Sequence, residues 1–202
     1  MLELATGSGL ALAAGLNAWI PLIALGLLSR YTDLLTLPAG WAWLENGWIL
    51  VVLGVLLLLE VVADKIPVVD SVNDVVQTVV RPTAGGVAFG AGATSETTTV
   101  TDPAAFVESG QWVPVVLGIV LALVVHATKA SARVVANTTT GGVAAPVVST
   151  AEDVGSAGLS LVAVVLPLLI IPVLVGLVVV VVLVVRARRR RRSTGRLGGP
   201  AG

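Results

Sequence analysis

Residues 159–185 read LSLVAVVLPLLIIPVLVGLVVVVVLVV, and residues 186–192 that follow read RARRRRR. An uncharged apolar run of this length exceeds the roughly 20 residues that carry a helix across a bilayer. Arginine and lysine accumulate on the cytoplasmic side of membrane helices, so the basic cluster places the C-terminus inside. The rest of the chain agrees in composition. Of its 202 residues 56% are hydrophobic and 12% charged, against about 25% charged in average soluble proteins, and the mean hydropathy is +0.99. The expectation is an all-α, polytopic integral membrane protein in the cytoplasmic membrane.

Working outward from that run, three more stretches approach spanning length: residues 9–28, 48–63 and 112–127. The second and third open on Trp48 and Trp112, which suit interfacial anchors, and Trp41 and Trp43 precede the second. The first is interrupted by Gly15-Leu-Asn17-Ala-Trp19-Ile-Pro21, an amide and a proline that predict a kinked or broken helix. Pro167 and Pro172 predict bending in the last.

Sliding the chain along itself aligns residues 48–82 with residues 112–146 without a gap. The informative matches are Trp48/Trp112, Gly54/Gly118, Lys65/Lys129, Asn73/Asn137 and Pro82/Pro146. This reads as an internal repeat, with copies 48–93 and 112–157, of the kind that recurs in transporters with sites at the repeat interface. Each copy holds a membrane helix and a shorter half-polar segment, giving about four long and two shorter membrane helices in a single membrane domain, residues 1–185. Residues 186–202 are expected to form a disordered, cytoplasmic tail that meets anionic lipid.

The half-polar segments carry the candidate chemistry. At roughly 100° per residue, Asp70, Asn73, Asp74, Gln77 and Arg81 fall on one arc opposite a set of valines. His126, Lys129, Arg133 and Asn137 share a similar arc, and the run Asn137-Thr-Thr-Thr-Gly-Gly142 is expected to end that helix. Ionisable groups at membrane depth are costly and face a protein interior or a cavity, so the two stripes form the candidate polar seam. Secondary candidates are Asn17, Glu60, Asp64, Lys65, Glu152 and Asp153. Glu60, Asp64 and Lys65 also fit an interfacial boundary, and Ser149/Glu152 or Thr150/Asp153 fit an N-terminal capping box.

Small-residue stretches follow each stripe, 83–92 and 141–148. Either they complete a crossing begun at the stripe, giving six crossings, or they turn back as re-entrant hairpins, giving four; six satisfies the positive-inside rule better. Residues 94–110 read as a polar, flexible loop.

With no cysteine and His126 as the only histidine, thiolate and multi-histidine metal sites are excluded. No nucleophile elbow, P-loop or dinucleotide fingerprint is present, so no cofactor is expected and an enzyme is disfavoured. The expected function is a small transporter or channel-like protein for a small polar or anionic solute or a lipid headgroup. The alternatives are a membrane scaffold with a structural seam and an intramembrane enzyme. The bilayer is the expected partner, with a homo-oligomer open and no nucleic acid.

The strings Gly15-LNAWIPL-Ile23, Glu60-VVADKIPVVDSVNDVVQT-Val79 with Arg81-Pro82, and His126-ATKASARVVANTTTGGVAAPVVSTAED-Val154 resemble a bacterial membrane family, domain-of-unknown-function family 4126. The resemblance runs from about Gly7 to Val185. It implies an integral membrane protein of bacteria and carries no residue roles.

Overall fold

The computed structural model describes residues 2–93, 108 and 110–194. The loop expected at 94–110 falls mostly outside them, as do residues 195–202. Among the described residues there are helices and no strands: α1 (Leu2–Leu16), α2 (Trp19–Tyr31), a 3-10 turn (Ala39–Glu45), α3 (Gly47–Ala63), α4 (Pro67–Ala93), α5 (Trp112–Thr140), α6 (Ala145–Val165), a 3-10 turn (Pro167–Leu169) and α7 (Ile170–Thr194).

The first apolar stretch breaks where Asn17 predicts. Asn17 ends α1 and its side-chain Oδ1 accepts from the Trp19 and Ile20 N–H groups at 3.0 and 3.3 Å, capping α2. Pro21 then sits in the first turn of α2, where its missing N–H costs no helical bond. The last stretch breaks at Leu166, before the turn that starts at Pro167. The run Asn137–Thr140 does close α5, through Gly141 in the left-handed conformation at φ +61, and the Gly142 N–H bonds back to the Asn137 carbonyl at 3.0 Å.

Central to the bundle is α1, packed against α4, α5 and α6. Its small residues allow that: a Cβ on Gly9 would meet Ala163 at 2.6 Å, and one on Gly15 would meet the Ala122 carbonyl at 2.8 Å. The α4–α5 crossing is equally close. A Cβ on Gly85 would stand 2.8 Å from the Gly118 carbonyl, and one on Gly118 would collide with the Gly85 carbonyl.

Around this core the surface is apolar. Trp48, Val51, Val52, Val55, Leu58, Leu59 and Val62 are exposed on α3, which buries only Leu53 and Glu60. The α4 valines Val72, Val75, Val76 and Val79 also face outward, while Gln77 and Arg81 are buried. Two helices, α5 and α6, are long and apolar enough to cross a membrane; the turn Ala39–Glu45 with α3, bent by 65°, makes a third candidate. By the same measure α1, α2 and Pro167–Val182 are shorter apolar helices.

Of the two courses open after the first stripe, the chain takes the continuing one: residues 70–81 and 83–92 are one helix, α4, which runs through Pro82. Other expectations change. The aligned copies break differently: the first at residues 64–66, where the second is mid-helix, and the second at 141–144, where the first is mid-helix. Pro67, a favoured first helical residue, restarts the chain in one copy, whereas Ser131 at the equivalent place lets α5 continue. The arginine run, expected as a disordered tail, is helical as far as Thr194. Arginine is a good helix former, and cations are favoured at a helix C-terminus.

Candidate functional site

Three helices deliver cations and acids to one buried place. From α3 and its C-terminal residue come Glu60 and Asp64, one turn apart; from α4 comes Arg81; from α5 come His126, Lys129 and Arg133. A fourth helix, α6, adds Glu152 and Asp153. Arg81 has no exposed surface and Glu60 has 3%. Burying an ion costs several kcal/mol even after relaxation, so each must be met by a partner.

The partners are specific. Arg81 Nη2 lies 2.6 Å from Glu60 Oε1 and 3.9 Å from Asp64 Oδ2. Arg133 Nη2 lies 3.0 Å from Asp64 Oδ2 and also pairs with Glu152 Oε2. Lys129 Nζ is 3.0 Å from Glu152 Oε2 and 3.9 Å from Asp64 Oδ2. Asp64 is therefore shared by three cations, and its other oxygen accepts from Asn73 Nδ2 at 2.8 Å. Burial pushes the Asp64 carboxyl up, but Arg133, Lys129 and the Asn73 amide outweigh it and hold the group below the ordinary carboxylate range.

The broken helix is tied into the same network. Lys129 Nζ donates to the Leu16 carbonyl at 2.8 Å, satisfying an orphan acceptor at the negative end of α1. Asn17 Nδ2 donates to Asp153 Oδ1 at 2.9 Å, and Ser156 Oγ donates to the Ala13 carbonyl at 2.9 Å.

On the other side of Arg81, its Nη1 donates to His126 Nδ1 at 3.4 Å. A guanidinium has only donors, so Nδ1 is the acceptor, His126 is neutral and its proton sits on Nε2. That Nε2–H faces Thr78 Oγ1 at 3.2 Å, while the Thr78 hydroxyl donates to the Asp74 carbonyl at 2.9 Å. Not every buried atom is met. Glu60 Oε2, Asp74 Oδ1, Gln77 Oε1 and Arg81 Nε have no hydrogen-bond partner.

The structure thus joins the two predicted stripes through Asn73, Arg81, His126, Lys129 and Arg133, and Gln77 is buried on the same helix, α4. Asp74 and Asn137 are half-buried. Asp74 reaches the network through its backbone carbonyl, and Asn137 serves α5 closure through its own. Asp70 lies in α4, but its side chain is not among those described. Lys65 is exposed and donates to the Val61 carbonyl at 3.3 Å, away from the seam. Glu60 and Asp64 are members of the cluster. The capping-box reading of residues 149–153 is overturned: α6 begins at Ala145, so these residues lie inside it. Their spacing held another signal. Ser149, Glu152, Asp153, Ser156 and Ser160 recur at helical intervals, a polar face on an otherwise apolar helix, and that face meets α1. Thr78 and the Leu16 carbonyl carried no sequence signal, since their roles follow from neighbours on other helices.

Two cavities lie elsewhere. One of about 420 Å³ is lined by Glu3, Thr6, Leu35, Thr36, Gly92 and Pro167, and another of about 280 Å³ by Ile20, Ile23, Leu27, Leu57, Ala157 and Leu161. Neither is lined by a charged seam residue. No group of three or more His, Cys, Asp or Glu side chains among the described residues is placed to hold a metal ion.

A helical bundle with a buried charge cluster and many large hydrocarbon side chains exposed has the organisation of a membrane protein. The chain belongs to the family described as Domain of unknown function (DUF4126), which it matches over residues 4–187. No curated protein and no solved structure matches it.

Proposed function

We propose that the protein is a small transporter or channel-like membrane protein whose solute passes the seam of Glu60, Asp64, Arg81, Lys129, Arg133 and Glu152. The observation that carries this reading is the buried, incompletely satisfied charge network beside a helix broken at Asn17. Discontinuous helices with exposed backbone ends are how membrane transporters build polar sites at depth. Purely structural packing is achieved more cheaply with apolar side chains.

The chemistry favours a small polar or cationic solute over an anion or lipid headgroup. Arg81, Lys129 and Arg133 each face a carboxylate already, whereas three of the four buried atoms left over in the seam are acceptor oxygens. The arrangement in the membrane follows the exposed apolar surface and the arginine run: a multi-pass protein of a bacterial cytoplasmic membrane, C-terminus inside, with anionic lipid at the arginines. Pairing between copies of the chain would suit the exposed face of α3.

A scaffold is the second reading, favoured by the closed ion pairs and by the absence of seam charges from both described cavities. An intramembrane enzyme would need two unpaired carboxylates on one cavity, and those cavities offer Glu3 alone. Light scattering of reconstituted vesicles under osmotic gradients of urea, glycerol and glycine separates transport from scaffold. Transport predicts faster re-swelling than in protein-free vesicles for at least one of these solutes, lost in folded Asp64→Asn protein. Re-swelling equal to protein-free vesicles for all three assigns the seam to structure.

A further inference from the structure

We infer that Glu60 is a proton-carrying group: its Oε2 takes up and releases a proton, while Asp64 is the fixed counter-charge of the seam. The inference deepens the transport reading, naming the proton as a coupled or conducted species at the same site.

The two acids sit one turn apart and are held in opposite ways. Asp64 is engaged through both oxygens, with Asn73 on Oδ1 and Arg133 on Oδ2, and Lys129 and Arg81 at 3.9 Å. Glu60 accepts one donor, Arg81 Nη2, on one oxygen, and its Oε2 is buried without any. A side-on fork from Arg81 would satisfy both Glu60 oxygens and its own Nε, yet Nε is unpartnered too. The pair is therefore engaged at a single contact between two buried side chains, where a carboxylate oxygen without a donor is expensive.

A proton removes that cost with no change of volume. It also turns Oε2 into a donor, and the seam holds further acceptors without one: Gln77 Oε1, on the same face of α4 one turn before Arg81, and Asp74 Oδ1. A metal cation would need several converging ligands, and the described side chains assemble no such group. After protonation the Glu60 Oε1 can still accept from Arg81 Nη2, and Asp64 Oδ2 stands 3.9 Å from the same nitrogen.

The step is a simple transfer. Hydronium gives its proton to the Glu60 carboxylate, an O–H bond forms at Oε2, and water leaves; release is the reverse. The charged groups facing Glu60 are Asp64 from its own chain segment, Arg81 from α4 and Lys129 from α5, with neutral His126 behind Arg81. The other elements packed on α3, α2 and the turn Ala39–Glu45, bring Arg30 and Glu45, which bond to each other near Gly47 at the far end.

Infrared difference spectroscopy of the full chain in phosphatidylglycerol–phosphatidylethanolamine vesicles tests this. Acid-minus-alkaline spectra should show a protonated carboxyl C=O band that shifts in heavy water, is missing from Glu60→Gln and is displaced in Glu60→Asp. If Glu60→Gln does not fold, the band's displacement in Glu60→Asp still assigns it. A band unchanged in both variants, or no band across the pH range in which tryptophan fluorescence is constant, overturns the proposal. So does loss of the band on adding sodium or potassium at constant pH, which assigns the site to a metal cation. Flux in the same vesicles is read separately. The band without flux leaves the proton site and removes transport; flux without the band does the reverse.

Discussion

At the scale of the residue, Asn17 performs two tasks with one amide: the oxygen caps α2 and the nitrogen holds Asp153. Replacing it with alanine removes the cap, worth about 1 kcal/mol, and leaves Asp153 without this partner. Asn17→Ala is expected to melt measurably earlier in detergent; an unchanged melting temperature would show the cap to be dispensable. Asp64 makes a prediction in pH. Its folded value is lowered, so its contribution is fully present above the ordinary aspartate value of 3.8 and is lost as pH falls through the folded value. The stability gap between the native protein and Asp64→Asn, about 3–5 kcal/mol for a broken buried pair, should be constant at neutral pH and shrink below that value. A gap that persists undiminished at pH 3 contradicts the assignment. Residue types were legible in the sequence here; the pairings were not, because the partners of Asp64 come from residues 73, 81, 129, 133 and their order in the chain says nothing of distance.

At the scale of the element, Gly54 and Gly118 are equivalent in the aligned copies and opposite in the structure. Nothing lies within 4 Å of a Cβ on Gly54, whereas one on Gly118 strikes the α4 backbone at Gly85. Gly54→Ala should stabilise α3 by up to about 1 kcal/mol through helix propensity. Gly118→Ala should cost about 1–3 kcal/mol, since the neighbouring atom is a carbonyl that moves only with its helix. Thermal unfolding of the two variants side by side checks both, and equal shifts would contradict the α4–α5 crossing. The helices themselves were largely readable: apolar length, the break at Asn17 and the glycine stop at Gly141 all follow from local chemistry. The start of α6 was misread because Ser149 and Glu152 match a cap in spacing, and only Pro146 and Ala145 in their helical places show that the helix began earlier.

At the scale of the whole molecule, the cluster of Glu60, Asp64, Arg81, Lys129 and Arg133 is buried, while many valines and leucines of α3 and valines of α4 face outward. The chain should therefore sediment with membranes and resist release by alkaline carbonate or high salt, while a fraction that washes off would point to a surface-bound bundle. Composition and the apolar runs determined this much unaided, since hydrocarbon area and length are properties of the chain alone: helical class, membrane character, and which polar residues are too costly to bury without purpose. What only the tertiary structure decided is which helix stands at the centre and which charges meet. Through its glycines and alanines α1 lets three neighbours approach, and that closeness brings Glu60, Arg81, Lys129 and Glu152 into one low-dielectric cluster. The physical reason is that an ion pair depends on separation in space, whereas sequence records separation along the chain.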